Sequence, residues 1–228
     1  MSAIFGSAVG IDLDRPAFRL RDVPSVWRAN GTERAIKTFV RLLLFDRREL
    51  RLIQAEIRHI TNAHDKPGPQ LIHADAADAG FWRSIGRKFD LIVSDDVFEH
   101  ISPEDLPKVV AHMKANLNDG GICIIRPFVF NGISGGHDID AYPSNLSRLP
   151  TENAWRHLWD DDFTVNTYLN RISRRKFREI FAKNFNILQD ISLQPDLGRD
   201  KLTADVREKV ENLDEYELFS NKVEFILS

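Results

Sequence analysis

The sequence predicts a single α/β domain, residues 1–228, built on a mostly parallel sheet with both faces covered. Three observations predict it. Short apolar runs that end in acidic residues alternate with segments of helical period along most of the chain. A length of 228 residues suits one substantial core. Hydrophobic residues at 43% and charged residues at 29% are ordinary for a packed chain, which argues against global disorder.

Ala8-Val9-Gly10-Ile11-Asp12-Leu13-Asp14 reads as a short buried strand ending in carboxylates, stopped by Arg15-Pro16. After a polar stretch containing Asn30-Gly31, Ile36, Phe39, Val40, Leu43 and Leu44 fall on one helical face, and the spacing resumes at Leu50, Ile53, Ile57 and Ile60. Lys66-Pro67-Gly68-Pro69 breaks the pattern, and Gln70 to Asp75 reads as a second strand ending in an acid. Phe89 to Ser94 is a third strand, followed by Asp95 and Asp96. Ser102-Pro103-Glu104-Asp105 starts a helix with a hydroxyl cap, an early proline and acids in the first turn. Leu106, Val109, Val110, Met113 and Leu117 are its apolar stripe, Asn118-Asp119-Gly120-Gly121 ends it, and a strand from Ile122 to Phe130 follows. Residues 131–170 lack periodicity, and a loop of that length is usually functional. Ser173 caps a helix carrying Phe177, Ile180 and Phe181. Strands at Phe185–Ser192 and Lys222–Leu227 flank a helix around Ala204–Leu213, and the terminal strand suits an antiparallel place in the sheet.

The net charge of −3 offers no footprint for nucleic acid, and the cluster Arg171, Arg174, Arg175, Lys176 and Arg178 reads as a solvated helix face. The single cysteine, Cys123, lies in an apolar run and reads as a core thiol. The N-terminus lacks a basic region, and Asp12 and Asp14 interrupt its apolar opening, so it does not read as a secretory signal. No run of about 18 apolar residues occurs, so no membrane span is expected and a cytoplasmic location fits.

The run from Lys88 to Ile101, with Asp95, Asp96, Glu99 and His100 after the strand, resembles the fourth-strand motif of class I S-adenosylmethionine-dependent methyltransferases. Leu117-Asn118-Asp119-Gly120-Gly121-Ile122 is similar to the helix end and fifth strand that follow it there. The resemblance implies a Rossmann-like, doubly wound, mostly parallel sheet with an antiparallel C-terminal strand, binding S-adenosyl-L-methionine across the carboxyl ends of its strands. It implies that Asp12 accepts hydrogen bonds from both ribose hydroxyls, for which a carboxylate offers two charged acceptors. Asp75 would receive the adenine amino group, the backbone of Ala76 would approach the ring, and Ser94 and Asp95 would line the methionine end. Acids after strands also cap turns or stay solvated, as Asp14 and Asp96 are expected to do.

Two departures stand out. About sixty residues separate Asp12 from Asp75, more than one crossover helix needs, so residues 30–66 read as a helical insertion. Only eleven residues precede Asp12, too few for the family's first strand and glycine-rich turn, and Phe5-Gly6-Ser7-Ala8-Val9-Gly10 is a very weak substitute. The expectation is an N-terminally truncated sheet that needs upstream sequence for activity and binds the cofactor weakly or not at all by itself.

Methyl transfer from a sulfonium depends on positioning, with a base only where the acceptor loses a proton. His100 and His137 are the candidates, weighed against ordinary structural or polar-loop roles. The spacing of His100, His112 and His137 fits no standard zinc pattern, so no metal is expected. Trp155, Trp159 and Tyr168 lie in a segment, within 131–170, that resembles the family's cover over the acceptor pocket. They pack that segment against the sheet or shape a cleft. The leading function is methyl transfer to a small-molecule acceptor. Its competitors are a cofactor-less scaffold or dimer partner, with a homodimer among the expected states, and a nicotinamide-dependent oxidoreductase, disfavoured for want of its glycines.

Overall fold

The computed structural model describes residues 7–13, 23–44, 70–165 and 167–228, and the chain divides into two compact units, residues 1–85 and 86–228.

In the first unit, β1 (Val9–Asp12) pairs in parallel with β2 (Gln70–His73), Val9 opposite Gln70 and Asp12 opposite His73. Parallel strands need a crossover, and α1 (Val23–Leu44) lies within it in sequence. The helix begins ahead of the expected boundary at residue 30. Asn30-Gly31 does not precede it but kinks it, because Gly31 sits at a φ of 83° that only glycine takes freely. Ile36, Phe39 and Val40 of the anticipated stripe are exposed, and its continuation from Leu50 to Ile60 lies outside the described residues, as does Asp14. After β2, Asp78 caps α2 (Ala79–Ile85), its Oδ1 accepting from Gly80 N at 2.7 Å, and Phe81 and Trp82 are buried.

The second unit runs β3 (Phe89–Asp95), α3 (Leu106–Ala115), β4 (Leu117–Arg126), α4 (Arg156–Trp159), α5 (Arg174–Ala182), β5 (Ile187–Ser192), α6 (Ala204–Lys209), α7 (Glu215–Leu218) and β6 (Val223–Leu227). Its sheet has the order β3-β4-β6-β5. β3 and β4 are parallel, and β6 is antiparallel to both of its neighbours, as expected of the terminal strand. The sheet is thus mixed, and the parallel pairs β1–β2 and β3–β4 supply the strand ends that matter below.

β4 starts at Leu117, earlier than the expected Ile122. Asn116 does end α3, but Asn118 to Gly121 continue as a bulged strand: Phe89 pairs with Leu117 while Leu91 pairs with Ile122, and Gly120 takes a φ of 76°. The expected helix at 204–213 stops at Lys209, and a further short helix, Glu215–Leu218, follows it. Ser102 nucleates the turn before α3, its Oγ accepting from Asp105 N and donating to Asp105 Oδ2, and Leu106, Val109, Val110 and Met113 are buried. Ser173 caps α5 by accepting from Lys176 N at 3.1 Å.

Phe181 of α5 ties the sheet to the turn after β3, its ring 5.0 Å from Phe225 and 5.7 Å from Phe98. A second apolar cluster forms around the fully buried Trp155, with Ile133, Leu146, Val206, Val210 and Leu218. Trp155 therefore packs as core, whereas Tyr168 is 55% exposed. Cys123 is buried in β4, and burial pushes its thiol up to about 12, as befits a core residue. Among the described residues, no helix is long and apolar enough to cross a membrane.

Candidate active site

The candidate residues fall at the carboxyl ends of parallel strands in both units. Because β1 and β2 are parallel and Asp12 faces His73, Asp12 and Asp75 leave the same edge of their sheet. Asp12 is exposed at the last position of β1. Asp75 folds the chain after β2 into a turn, its Oδ1 accepting from Ala77 N at 2.8 Å and its backbone carbonyl from Asp78 N at 3.1 Å. Ala76 is inside that turn, and its carbonyl accepts from Trp82 Nε1 at 2.8 Å.

In the second unit, Ser94 and Asp95 end β3 opposite Ile125 and Arg126 of β4. Asp95 and Asp96 share Lys222, whose ammonium lies 2.6 Å from Asp95 and 2.7 Å from Asp96. Asp96 is thus ion-paired, not merely solvated. It turns the chain at a φ of 54°, fixed by its N–H donating to Arg126 O at 3.0 Å.

The single turn Phe98–His100 comes next, and it holds a residue that sequence reasoning missed. Glu99 is 3% exposed, and neither carboxylate oxygen has a hydrogen bond of good geometry. The amides of Glu99 itself and Phe128 lie near enough to favour its charge, but burial outweighs them and pushes its pKa up to about 7. Asn170 holds the turn: its side-chain amide donates to Phe98 O at 2.7 Å and Ile101 O at 2.9 Å, while its backbone N–H donates to Glu99 O. His100 is exposed, and its Nδ1 lies 2.8 Å from Tyr168 O. A carbonyl can only accept, so Nδ1 carries a proton in this bond and Nε2 is the nitrogen left for another partner.

His137 comes from the loop after β4 and meets His100 edge-on, ring centroids 5.3 Å apart. The loop folds tightly enough that a Cβ on Gly135 would fall on Val129 O and Phe130 O, so glycine is required there. Ser134, which precedes the glycines, is anchored by its N–H to Asn221 Oδ1 at 2.8 Å. His137 then takes a φ of 54°, with its Nε2 buried and without a hydrogen-bond partner. Burial, and after it the neighbouring His100, lowers its pKa, which keeps the imidazole neutral. One potential ligand atom from each of Glu99, His100 and His137 lies within 4.8 Å of the others.

Beside this cluster is a pocket of about 230 Å³ lined by Phe130, His157, Leu158, Phe163 and Arg171, among others. Half-buried His157 lines it, with Nε2 2.7 Å from Phe130 O, and desolvation pushes its pKa to about 4. A larger groove of about 610 Å³ lies over Arg175, Arg178, Asp190 and Tyr216. Its polar groups bond one another, so we assign it a structural role.

The sequence matches a family model described as a methyltransferase domain over residues 5–189. No curated protein matches it. Among solved structures, an S-adenosylmethionine-dependent methyltransferase from Clostridium acetobutylicum is 15% identical, aligns over 78% of this chain and 70% of its own, and has a TM-score of 0.41. An O-methyltransferase family protein from Burkholderia thailandensis is 10% identical over 100% of this chain and 52% of its own, with a TM-score of 0.41. The N-methyltransferase NodS from Bradyrhizobium japonicum, solved with S-adenosyl-L-homocysteine, is 10% identical over 76% of this chain and 60% of its own, with a TM-score of 0.38. This chain therefore spans less than two thirds of the length of the last two. The assignment rests on the family match, which covers most of the chain. The chain belongs to the family whose model is described as a methyltransferase domain.

Proposed function

We propose that the protein transfers a methyl group from S-adenosylmethionine to a small-molecule acceptor, and that the acceptor's reacting oxygen is received at Glu99, His100 and His137. The observation that carries the acceptor half is that cluster: buried lone pairs on Glu99 and His137 with no protein partner, beside a concave pocket. Unpaired buried polar atoms are uncommon in native structures and ask for a ligand.

Each unit by itself offers strand-end carboxylates of the kind that this cofactor calls for. Asp12 presents an exposed carboxylate at a strand end, the group that the resemblance sets against the ribose hydroxyls. Asp75 uses Oδ1 in its own turn, leaving Oδ2 to receive the adenine amino group beside Ala76. Lys222 takes Oδ1 of Asp95, leaving Oδ2 for the cationic amine of the methionine end, with Ser94 next to it. S-adenosylmethionine supplies an electrophilic methyl on a sulfonium. The protein holds the acceptor oxygen in line with that methyl. As the oxygen–carbon bond forms and the carbon–sulfur bond breaks, the acceptor's proton passes to a neutral imidazole. His137 suits that step because its lowered pKa keeps the lone pair available at neutral pH.

Calorimetric titration with S-adenosyl-L-homocysteine tests the cofactor half. Asp12→Ala should weaken affinity by about 1.5–3 kcal/mol, the range for hydrogen bonds to a charged group. An unchanged affinity overturns the role of Asp12.

A further inference from the structure

We propose that Glu99, His100 and His137 form a binding site for one divalent cation of the zinc, cobalt or manganese class. The sequence spacing of the histidines gives no hint of it, because the fold brings the ligands together. Glu99 and His100 come from one turn and His137 from the glycine-held loop after β4.

Three independent features point the same way. The first is the donor set: two imidazoles and a carboxylate are a common three-ligand set for borderline divalent ions, with a further position left open. The second is the state of the donors, since both oxygens of Glu99 and Nε2 of His137 are buried with no hydrogen-bond partner in the protein. A cation would satisfy both residues at once. The third is the support behind them. Nδ1 of His100 faces Tyr168 O at 2.8 Å, the outer-shell bond to a backbone carbonyl that fixes a metal-binding tautomer and aims Nε2 forward. Asn170 pins the same turn through Phe98 O and Ile101 O.

The spacing is within reach. Bonds of about 2.1 Å place tetrahedral ligands roughly 3.4 Å apart. Ligand atoms that now lie within 4.8 Å need to close by about an ångström. Every pair has to close, so the adjustment would be shared among small side-chain rotations of Glu99, His100 and His137, with the His100–Tyr168 bond kept. The open position would face the exposed side of His100, where a water or the acceptor's oxygen could bind. A cation held here takes the His137 lone pair, so in the cation-bound protein the acceptor's proton would pass to water and not to His137. Only that role rests on the methyl-transfer reading, and cation binding does not.

The test uses the whole chain, stripped with chelator and dialysed against Zn²⁺, with Co²⁺ titrated in parallel and followed by its visible absorption. One equivalent of each is expected. Glu99→Gln and His137→Gln should each weaken binding about tenfold or more, whereas His112→Gln, on α3, should leave it unchanged. Added Zn²⁺ should raise the Tm of the wild type and not that of Glu99→Gln, a variant that keeps its fold because it removes an unpaired buried charge. Failure to bind an equivalent, equal affinity in Glu99→Gln, or an equal loss in His112→Gln would overturn the site. S-adenosyl-L-homocysteine binding, titrated on the same stripped sample, separates the two readings. Cation binding without it leaves this site standing and removes only the methyl-transfer role.

Discussion

Asp190 and Glu99 are both buried acids of the second unit, and the protein treats them in opposite ways. Asp190 accepts from Arg174 Nε at 2.7 Å, from Arg178 at 2.9 Å and from the Tyr216 hydroxyl at 2.9 Å. Arg174 in turn donates to Asp190 O and lies over the Tyr216 ring. Glu99 is as deeply buried and receives no hydrogen bond of good geometry. A fully satisfied buried ion pair ties α5 to β5 and is closed to ligands. A buried carboxylate left without partners destabilises the fold by itself, so its retention beside two histidines speaks for use in binding.

The largest expected effect follows from the first of these. Asp190→Ala leaves Arg174 buried without its partner and should cost about 3–5 kcal/mol in urea unfolding. Glu99→Gln should cost nothing and can stabilise the metal-free protein near neutral pH. Equal losses in the two variants would erase the distinction between the sites.

The next effect is on pH dependence, measured with chelator present so that no cation intervenes. Glu99 is raised from 4.5 to about 7 in the fold, so the folded chain takes up that proton first. Its stabilising contribution is present below pH 4.5 and is lost as pH rises through 7. His157 is lowered from 6.5 to about 4, so the unfolded chain takes up that proton first. Its contribution is present above pH 6.5 and is lost as pH falls towards 4. Each is on the order of 3 kcal/mol at most, since the His157 ring keeps one edge near the surface. They oppose each other between about pH 4.5 and 6.5, and the wild type should show little slope there from this pair. Glu99→Gln should unmask a stability that falls on acidification, and His157→Gln one that rises. Parallel slopes in the two variants would show that these groups are not the ones titrating.

Much of the fold was legible because short-range chemistry decides it. Val9 to Asp12 and Phe89 to Asp95 are apolar runs with acids at their ends, and Ser173 caps α5 through its own hydroxyl. The start of β4 was not legible, because Asn118-Asp119-Gly120-Gly121 has the composition of a helix stop and serves instead as a bulge. His100 and His137 were identifiable as titratable groups after strands. Their meeting, and the place of Glu99 between them, depends on the loop after β4 folding back, which no local spacing records. Lys222, which holds Asp95 and Asp96, was missed for the same reason: it arrives just ahead of the last strand. A glutamate next to a histidine at a strand end was the one available signal for Glu99, and it says nothing about burial.

The smallest expected effect concerns what holds the unpaired site in shape. Asn170 makes no contact with the lone pairs of Glu99 or His137. It donates to Phe98 O and Ile101 O, and its Oδ1 accepts from Ile172 N at 3.1 Å, so it fixes the turn from behind. Asn170→Ala leaves these partly buried backbone groups without partners and should cost about 1–3 kcal/mol in stability. Because the turn carries two of the three proposed ligands, with Phe98 and the His100–Tyr168 bond as its other anchors, the same change should weaken Zn²⁺ binding while leaving the Asp190 cluster untouched. A loss of stability without any loss of cation affinity would mean that Glu99 and His100 are placed by packing against Phe181 alone. A loss of affinity without a loss of stability would mean that the turn is held loosely and that Asn170 acts only on its aim. Measuring both on one preparation distinguishes a residue that supports the fold from one that positions the ligands.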